Sequence, residues 1–152
     1  CALPIFVFDP TQARAAGGTS RQELVLIEAM ARIRRYGGLD QRARIRTPLI
    51  VALTKADAWA SDMQLDLSRR PSAAAGQVGL DAEFLRRTAE RAVARFRETA
   101  PELIQSISAF SENVLWVPCS ALGGDATRVQ PQWAEVPFVA ALDCAMRAPA
   151  RT

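Results

Sequence analysis

Three short apolar runs divide the chain, and each has the length and the β-branched or aromatic content of a buried strand. They are LPIFVF at 3–8, PLIVAL at 48–53 and NVLWVP at 113–118. PLIVAL is apolar at every position, as expected of a central parallel strand because both of its faces are covered. The pattern therefore predicts three strands, with the second in the interior of a parallel sheet.

A helix is predicted between the first two strands. Ser20 and Glu23 have the spacing of a capping box, in which a hydroxyl and a carboxylate satisfy free amides at the start of a helix. The helix is expected to run to about Tyr36, because two glycines follow. The helical period predicts one apolar side, opposite a face of Arg and Glu. That side consists of Leu24, Ile27 and Ala31.

Further helices are predicted on both sides of the third strand. Asp81 is expected to cap a helix, and Thr99 with Glu102 repeats the capping-box spacing for a helical continuation. A final helix is expected at about 136–146, whereas 60–80 is rich in Ala, Gly and Pro and predicts a flexible surface insertion. The apolar stripe of the helix after Asp81 is Leu85, Ala89, Ala92 and Phe96. Strands that alternate with helices predict an α/β fold.

The composition fits one globular domain of 152 residues. The net charge of +3 is small and Arg is scattered among Glu, which favours solvated helix faces over a nucleic-acid surface.

No apolar stretch approaches the roughly 18 to 20 residues that cross a bilayer, so a cytoplasmic location is expected. The absence of His excludes Ser-His and Cys-His nucleophile pairs. Cys1, Cys119 and Cys144 are expected to be reduced and structural.

Polar residues follow each predicted strand directly. Asp9 follows the first, 54–57 (TKAD) follow the second, and 120–122 (SAL) come just after the third. In parallel sheets ligands collect at the carboxyl ends of the strands, so these residues are candidates for one site. Lys55 is the only lysine among 19 basic residues, which marks it for a role that Arg does not fill.

TKAD and SAL, in this order and each after a strand, resemble the guanine-recognition pair of P-loop GTPases. The resemblance implies that Asp57 reads guanine, because a carboxylate accepts from both the ring N–H and the exocyclic amine. It implies that Lys55 lays its apolar stem over the purine and keeps its ammonium near the ribose and phosphates. The alternative is a surface lysine beside an Asp57 that caps a short turn.

The same resemblance gives roles to four neighbouring residues. The Thr54 hydroxyl would hold neighbouring loops together, and Ser120 would shape the turn after the third strand. The backbone N–H of Ala121 would donate to guanine O6, and Leu122 would cover the base. These residues with Lys55 and Asp57 form the predicted guanine site.

The first strand and its end, FVFDPTQ, resemble the switch II strand of the same families. The resemblance implies that Asp9 contacts Mg²⁺ through water when GTP or GDP is bound. Gln12 stands where the family has glycine, so sensing of the γ-phosphate through that glycine's amide is not expected, and Gln12 becomes a candidate for orienting the attacking water. The alternatives are that Asp9 only ends a strand and that Gln12 is an exposed loop residue.

One family motif is missing. No G-x-x-x-x-G-K-[ST] occurs, so the chain lacks the loop that wraps the phosphates, and by itself it is not expected to hydrolyse GTP. In the resembled fold that loop follows a strand between the first two strands predicted here, so both are expected to lack their natural neighbour. The chain is therefore expected to be the C-terminal part of a longer GTPase domain, from the switch II strand to the C-terminal helix.

The resemblance is closest to the bacterial double-GTPase type of the TRAFAC class and covers most of the chain, 5–146. It implies a three-layer α/β sheet of the P-loop GTPase type that binds guanine nucleotide and has a protein partner. No nucleic-acid partner is expected, because the scattered Arg residues predict no basic face. The GTPase-like component of type VI secretion is also similar around LTKAD, but it lacks so clear a SAL motif. The alternative from another class is a catalytically inactive, GTPase-like interaction module.

Overall fold

A computed structural model describes residues 3–14, 21–40, 42–73, 79–124 and 127–147 of the chain. The strands are β1 (Ile5–Phe8), β2 (Leu49–Leu53) and β3 (Val114–Pro118). The helices are α1 (Pro10–Arg14), α2 (Arg21–Tyr36), α3 (Ala82–Thr99), α4 (Pro101–Phe110) and α5 (Val136–Arg147). Two 3-10 turns, Ala56–Ala58 and Ser61–Met63, follow β2.

The three strands form one parallel sheet in the order β1-β2-β3. All five residues of β2 are buried, which confirms the central position predicted from PLIVAL. Phe8 on one face packs edge-on against Phe96 of α3, and the neighbouring Val7 faces a cavity that α5 also lines with Phe138. Helices therefore cover both faces of the sheet, as an α/β fold requires.

The direct pairing of β1 with β2 concerns the expectation that each lacks its natural neighbour. Ile5 pairs with Ile50 at one end and Phe8 with Leu53 at the other, so no strand lies between them. The two strands therefore pair with each other and leave no gap at the place where the resembled fold has a further strand. The pairing has a clear physical reason, since strand edges left apart inside the protein would hold unpaired N–H and C=O groups.

The buried face of α2 also differs from the prediction. Leu26 and Met30 are buried, together with Glu23, whereas Leu24 is 63% and Ile27 45% exposed. Ala31, the third residue of the predicted apolar side, is exposed as well. The sequence LVLI places four apolar residues in succession, so the helical period does not select one face. The predicted cap residue Ser20 lies outside the described residues.

Helix α3 follows the prediction closely. The Asp81 carboxylate caps it by accepting from the Phe84 amide at 2.9 Å. The predicted stripe of Leu85, Ala89, Ala92 and Phe96 is buried. The predicted capping box of α4 is wrong, because Thr99 is the last residue of α3 and the N-cap, Ala100, makes no side-chain hydrogen bond. Proline at the first position of α4 has no N–H that needs a cap.

The described part of the predicted insertion at 60–80 packs against the rest of the protein. Leu67 and Pro71 are buried, and the Trp133 indole donates to the Arg69 carbonyl at 2.9 Å. Ser72 forms a bridge with Leu80, which closes the segment at its base. Residues 74–78 lie outside the described residues, and the flexibility of the segment stays a prediction.

The exposed arginines of α3 are paired with glutamates. Arg86 contacts Glu83 and Glu90, and Arg87 contacts Glu83 at 2.8 Å. These hydrogen bonds lower the pKa of the Glu83 carboxyl to about 2. The Arg-rich pattern therefore gives a solvated face of mixed charge on this helix.

None of the helices in the described part of the chain combines the length and apolar character that a membrane crossing requires.

Glu23 makes the stability of the fold depend on pH in an unusual direction. Burial raises the pKa of its carboxyl, and the nearby Glu102 raises it further. A raised folded-state pKa means that stability is present at low pH and is lost as pH rises through that pKa. We expect Glu23→Gln to raise Tm at pH 7 by about 2 °C and to give no gain at pH 4 or below. Thermal unfolding followed by circular dichroism measures this difference.

The control is Glu112→Gln, which removes the same charge from an exposed position. It should leave Tm nearly unchanged at pH 7. Equal gains in the two variants would show that net charge, and not the burial of Glu23, sets the effect.

Candidate functional site

The carboxyl ends of β2 and β3 border one cavity of about 700 Å³, which Ile5 and Val7 of β1 also line. Parallel pairing places these ends at the same edge of the sheet, so the residues that follow each strand come together. All six residues of the predicted guanine site line the cavity. They are Thr54, Lys55, Asp57, Ser120, Ala121 and Leu122. Asp9 and Gln12 are not among its lining residues.

Buried contacts fix the loop that carries Lys55 and Asp57. The Ala56 amide donates to the carbonyl of Cys119 at 3.1 Å, which ties this loop to the end of β3. Trp59 is only 1% exposed, and its indole donates to the Thr54 carbonyl at 2.8 Å. Its ring packs edge-on against Phe96 at 5.3 Å between centroids. The loop is therefore held by its own backbone and by an aromatic anchor that the motif analysis did not include.

Thr54 joins the ends of β1 and β2. Its amide and its hydroxyl both donate to the Phe8 carbonyl, at 2.8 and 3.0 Å. Serine or threonine is needed for the second of these bonds, because the hydroxyl supplies the donor. The loop after β2 thus starts from a fixed point beside Asp9.

Lys55 adopts a left-handed backbone conformation, with φ 53° and ψ 38°. This conformation is uncommon for a side chain other than Gly or Asn, and it costs about 1 kcal/mol. The Lys55 ammonium lies 2.7 Å from Oδ2 of Asp9, and its side chain is half exposed while that of Asp9 is largely buried. The strained backbone turns the lysine toward the end of β1.

Asp57 is held by the loop after β3. Its Oδ1 accepts from the Ser120 hydroxyl, and that hydroxyl oxygen accepts from the Gly123 amide at 3.1 Å. Ser120 is 2% exposed, whereas Asp57 is partly exposed, so the hydroxyl is buried and the carboxylate reaches the cavity. Within the described residues Oδ2 of Asp57 has no hydrogen-bond partner. The carboxylate does not cap the 3-10 turn, whose N-cap is Lys55 without a side-chain hydrogen bond.

The loop after β3 is closed by backbone hydrogen bonds. Ser120 and Gln132 exchange two bonds of 2.7 and 2.8 Å, and the Gln130 amide donates to Leu122 at 2.8 Å. Gly123 has φ +76°, and a Cβ there would overlap the Gln130 carbonyl oxygen. The Ala121 amide finds no acceptor in the parts of the chain that the structure describes. Ala121 also lines the cavity.

The floor of the cavity is apolar. It consists of residues from β1, β2 and the start of α5, namely Ile5, Val7, Ala52, Pro137 and Phe138. Cys119 also lines it, and burial raises the pKa of its thiol to about 11. The thiol is therefore protonated at neutral pH and is a poor nucleophile. The cavity combines a few polar groups at one end with a surface that suits the face of a flat ring.

Both oxygens of the Asp9 carboxylate are bound by groups of the protein itself. Oδ1 accepts from the amide and the hydroxyl of Thr11, at 2.9 and 2.6 Å, and Oδ2 faces Lys55. Burial raises the pKa of the Asp9 carboxyl, but the hydrogen bonds from Lys55 and Thr11 outweigh it, so the net pKa is lowered. Asp9 is therefore ionised at neutral pH.

The residues present do not fit a magnesium site. An ammonium at 2.7 Å occupies the direction from which Oδ2 of Asp9 would reach a cation or its water. The described residues contain no group of three or more His, Cys, Asp or Glu that could hold a metal ion. We therefore assign no step to a metal.

Gln12 lies on α1 with an exposed side chain, whose carbonyl oxygen accepts from Gln22 at 3.4 Å. The structure does not bring it to the cavity. Gln22 itself was not predicted: its amide oxygen accepts from the Asp9 amide at 2.8 Å, and its NH₂ donates to the Asp9 carbonyl at 3.2 Å. No motif marks Gln22, because the contact depends on how α2 lies against the end of β1.

No protein-family model matches the chain, and no significant match is found among curated proteins or solved structures. The assignment of a function to the cavity therefore depends on its chemistry.

The close approach at Gly123 predicts a specific effect of adding a single methyl group. We expect Gly123→Ala to lower the free energy of unfolding by about 1–3 kcal/mol, because Ala meets the Gln130 carbonyl and is strained at positive φ. Gly124→Ala is the matched control, since its Cβ would make only an ordinary contact, 3.9 Å from the Asp57 Cβ. Urea denaturation of both variants measures the difference. Equal stabilities would contradict this account of the loop.

Proposed function

We propose that this chain carries the base-binding part of a guanine-nucleotide site. The observation that carries the proposal is the arrangement of Asp57, whose carboxylate is oriented by Ser120 at the wall of a cavity that Lys55 and Ala121 also line. The TKAD and SAL motifs suggested these residues from sequence alone. Their common cavity supports the proposal, because a site requires them to face one ligand.

Asp57 supplies acceptors that match guanine. The free Oδ2 and the remaining lone pairs of Oδ1 can accept from the ring N1–H and the exocyclic amine together. Adenine has an acceptor at ring N1 and no amine at C2. Its N1 lone pair would therefore face the oxygen lone pairs of the carboxylate, which is repulsive. A charged acceptor makes each of these bonds stronger than a neutral one would, which favours guanine.

The neighbouring groups complete the recognition of the base. The free amide of Ala121 is a donor suited to the guanine O6. The apolar stem of Lys55 and the side chain of Leu122 provide surfaces for the ring faces, above the apolar floor of the cavity. The volume of about 700 Å³ lies within the range of small-molecule sites and exceeds that of a purine, leaving room for the ribose.

The proposal concerns nucleotide binding. The sequence contains no glycine-rich loop with its Lys-Ser/Thr, and the described residues do not fit magnesium, so no hydrolytic step is assigned to them. A role as part of a GTPase or switch, and a cytoplasmic location, belong to the same proposal through the resemblance described above.

A second candidate is a GTPase-like module for protein interaction. The exposed apolar side chains of α2 favour it, because Leu24 and Ile27 lie one helical turn apart and are 63% and 45% exposed. Contiguous apolar side chains of this kind often mark a protein contact. The two functions are compatible. A chain that does not bind nucleotide could still act as a protein-interaction module.

The proposal predicts selective binding of guanine nucleotides. We expect GDP to bind better than ADP, and Asp57→Ala to weaken GDP binding about tenfold or more, because it removes acceptors that are charged. Isothermal titration calorimetry measures both. Glu112→Gln is the control for loss of one negative charge away from the cavity. Equal affinities for GDP and ADP, or full GDP affinity in the Asp57 variant, would sink the proposal.

A change of base preference is the sharper test. Asp57→Asn keeps an oxygen that can accept from Ser120 and replaces the other acceptor with an NH₂ donor. Xanthine carries a carbonyl at the position of the guanine amine, so the variant should lose GDP affinity and gain affinity for xanthosine diphosphate. Competition between the two nucleotides for the variant gives the ratio directly. A parallel loss for both nucleotides would show that Asp57 does not face the C2 substituent.

A further inference from the structure

Three charged residues are described directly after the strands, namely Asp9, Lys55 and Asp57. Asp9 has no role in the proposed guanine site, whereas the other two do. Asp9 stands beside the cavity, does not line it, and does not fit a metal, yet it is buried and fully hydrogen-bonded. Burying an ionised carboxylate costs free energy unless the carboxylate is paired, and the partner of Asp9 is Lys55.

We infer that Asp9 is a positioning residue that holds Lys55 in place for the base, and that it is not a magnesium carboxylate. This inference rests on the proposed guanine site and adds a residue to it. It differs from the expectation that the resemblance gave for Asp9, and the geometry of the Asp9–Lys55 pair is the reason.

The carboxylate of Asp9 is itself fixed from several directions. Thr11 donates to Oδ1 with its amide and its hydroxyl, and Gln22 bonds both the amide and the carbonyl of Asp9. These four bonds set both the backbone and the side chain at the end of β1. Oδ2 is therefore presented at a constant position to whatever lies across from it.

The other partner is fixed from its backbone. Thr54 is bonded to the Phe8 carbonyl, and Lys55 follows in its left-handed conformation. The backbone thus directs the side chain toward β1, and the ammonium meets Oδ2 at 2.7 Å. A free lysine has many rotamers to lose when a ligand binds, whereas a paired lysine is already ordered.

The pair also keeps Lys55 away from Asp57. Both residues line the cavity and they are only two positions apart, so an unpaired ammonium would be attracted to the Asp57 carboxylate. Such a contact would cover the acceptors that read guanine. Among the described residues the ion-pair partner of Lys55 is Asp9 and not Asp57, and Asp57 keeps a free oxygen.

The test uses Asp9→Asn, which keeps an oxygen for Thr11 and removes the charge that holds Lys55. The probe is guanosine, because it has no phosphate and its binding does not involve magnesium. We expect the variant to bind guanosine about five- to tenfold more weakly than the original chain, and by the same factor with EDTA or with magnesium. A carboxylate that acted through Mg²⁺ would instead affect only GDP, and only when magnesium is present.

A double-mutant cycle separates positioning from a general structural role. Lys55→Met keeps the apolar stem and removes the ammonium. If Asp9 acts through Lys55, Asp9→Asn should have little further effect on guanosine affinity in the Lys55→Met background. Additive losses would overturn the inference, since they would mean that Asp9 acts independently of Lys55.

Asp66→Asn is the matched control. Asp66 accepts from the amide and the hydroxyl of Ser68, as Asp9 does from Thr11, but it is exposed and faces no lysine. It should leave guanosine affinity unchanged. A loss equal to that of Asp9→Asn would assign the effect to net charge and overturn the inference.

NMR keeps this test separate from that of the guanine site. Lys55 is the only lysine, so its side-chain ammonium signal needs no further assignment. Without any ligand, the ammonium should be ordered in the original chain and mobile in Asp9→Asn. Equal mobility would overturn the inference even if guanosine binds. If the pair is ordered but the original chain prefers neither guanosine nor GDP, the guanine site fails, and with it the role of the pair in base binding.

Discussion

The parallel pairing of three strands is the constraint on which the rest of the structure depends. It brings the chain segments after β1, β2 and β3 to one edge, although they are far apart in sequence. The ends of β1 and β2 are joined directly, because the Phe8 carbonyl accepts two hydrogen bonds from Thr54. The ion pair of Lys55 with Asp9 and the bond of Asp57 with Ser120 are possible only with this alignment. The fold thus determines the site through the ends of its strands.

Rigid supports surround the polar groups of the cavity. Trp59 anchors one loop in the core, and Gly123 lets the other loop fold against its own backbone. The left-handed Lys55 stores a small strain that these supports maintain. Preorganised groups lose little entropy on binding, so a small number of contacts can select a ligand. The chemistry of the cavity is therefore inseparable from the packing beneath it.

The sequence was informative where local pattern and final structure agree. An unbroken apolar run identified β2, and the polar residues that follow it, Thr54, Lys55 and Asp57, line one cavity as predicted. Prediction failed where contacts are long-range. The run LVLI allowed several buried faces for α2, and only its packing selected Leu26 and Met30. The direct pairing of β1 with β2 and the contact of Gln22 with Asp9 likewise depend on how separate segments meet. No local signal encodes them.

The sheet has a consequence for the way in which the protein folds. Every strand pair of the described sheet joins segments about 45 to 65 residues apart, so its ladders bring together parts of the chain that are distant in sequence. The first strand pair can form only after a long chain loop has closed. The conformational entropy lost in that closure precedes any stabilisation by hydrogen bonds between the strands. Collapse of the helices is therefore expected to precede the sheet, and β2 stays exposed to other chains until both neighbours have docked. Slow, concentration-sensitive refolding is the kinetic cost of gathering a site from three distant segments.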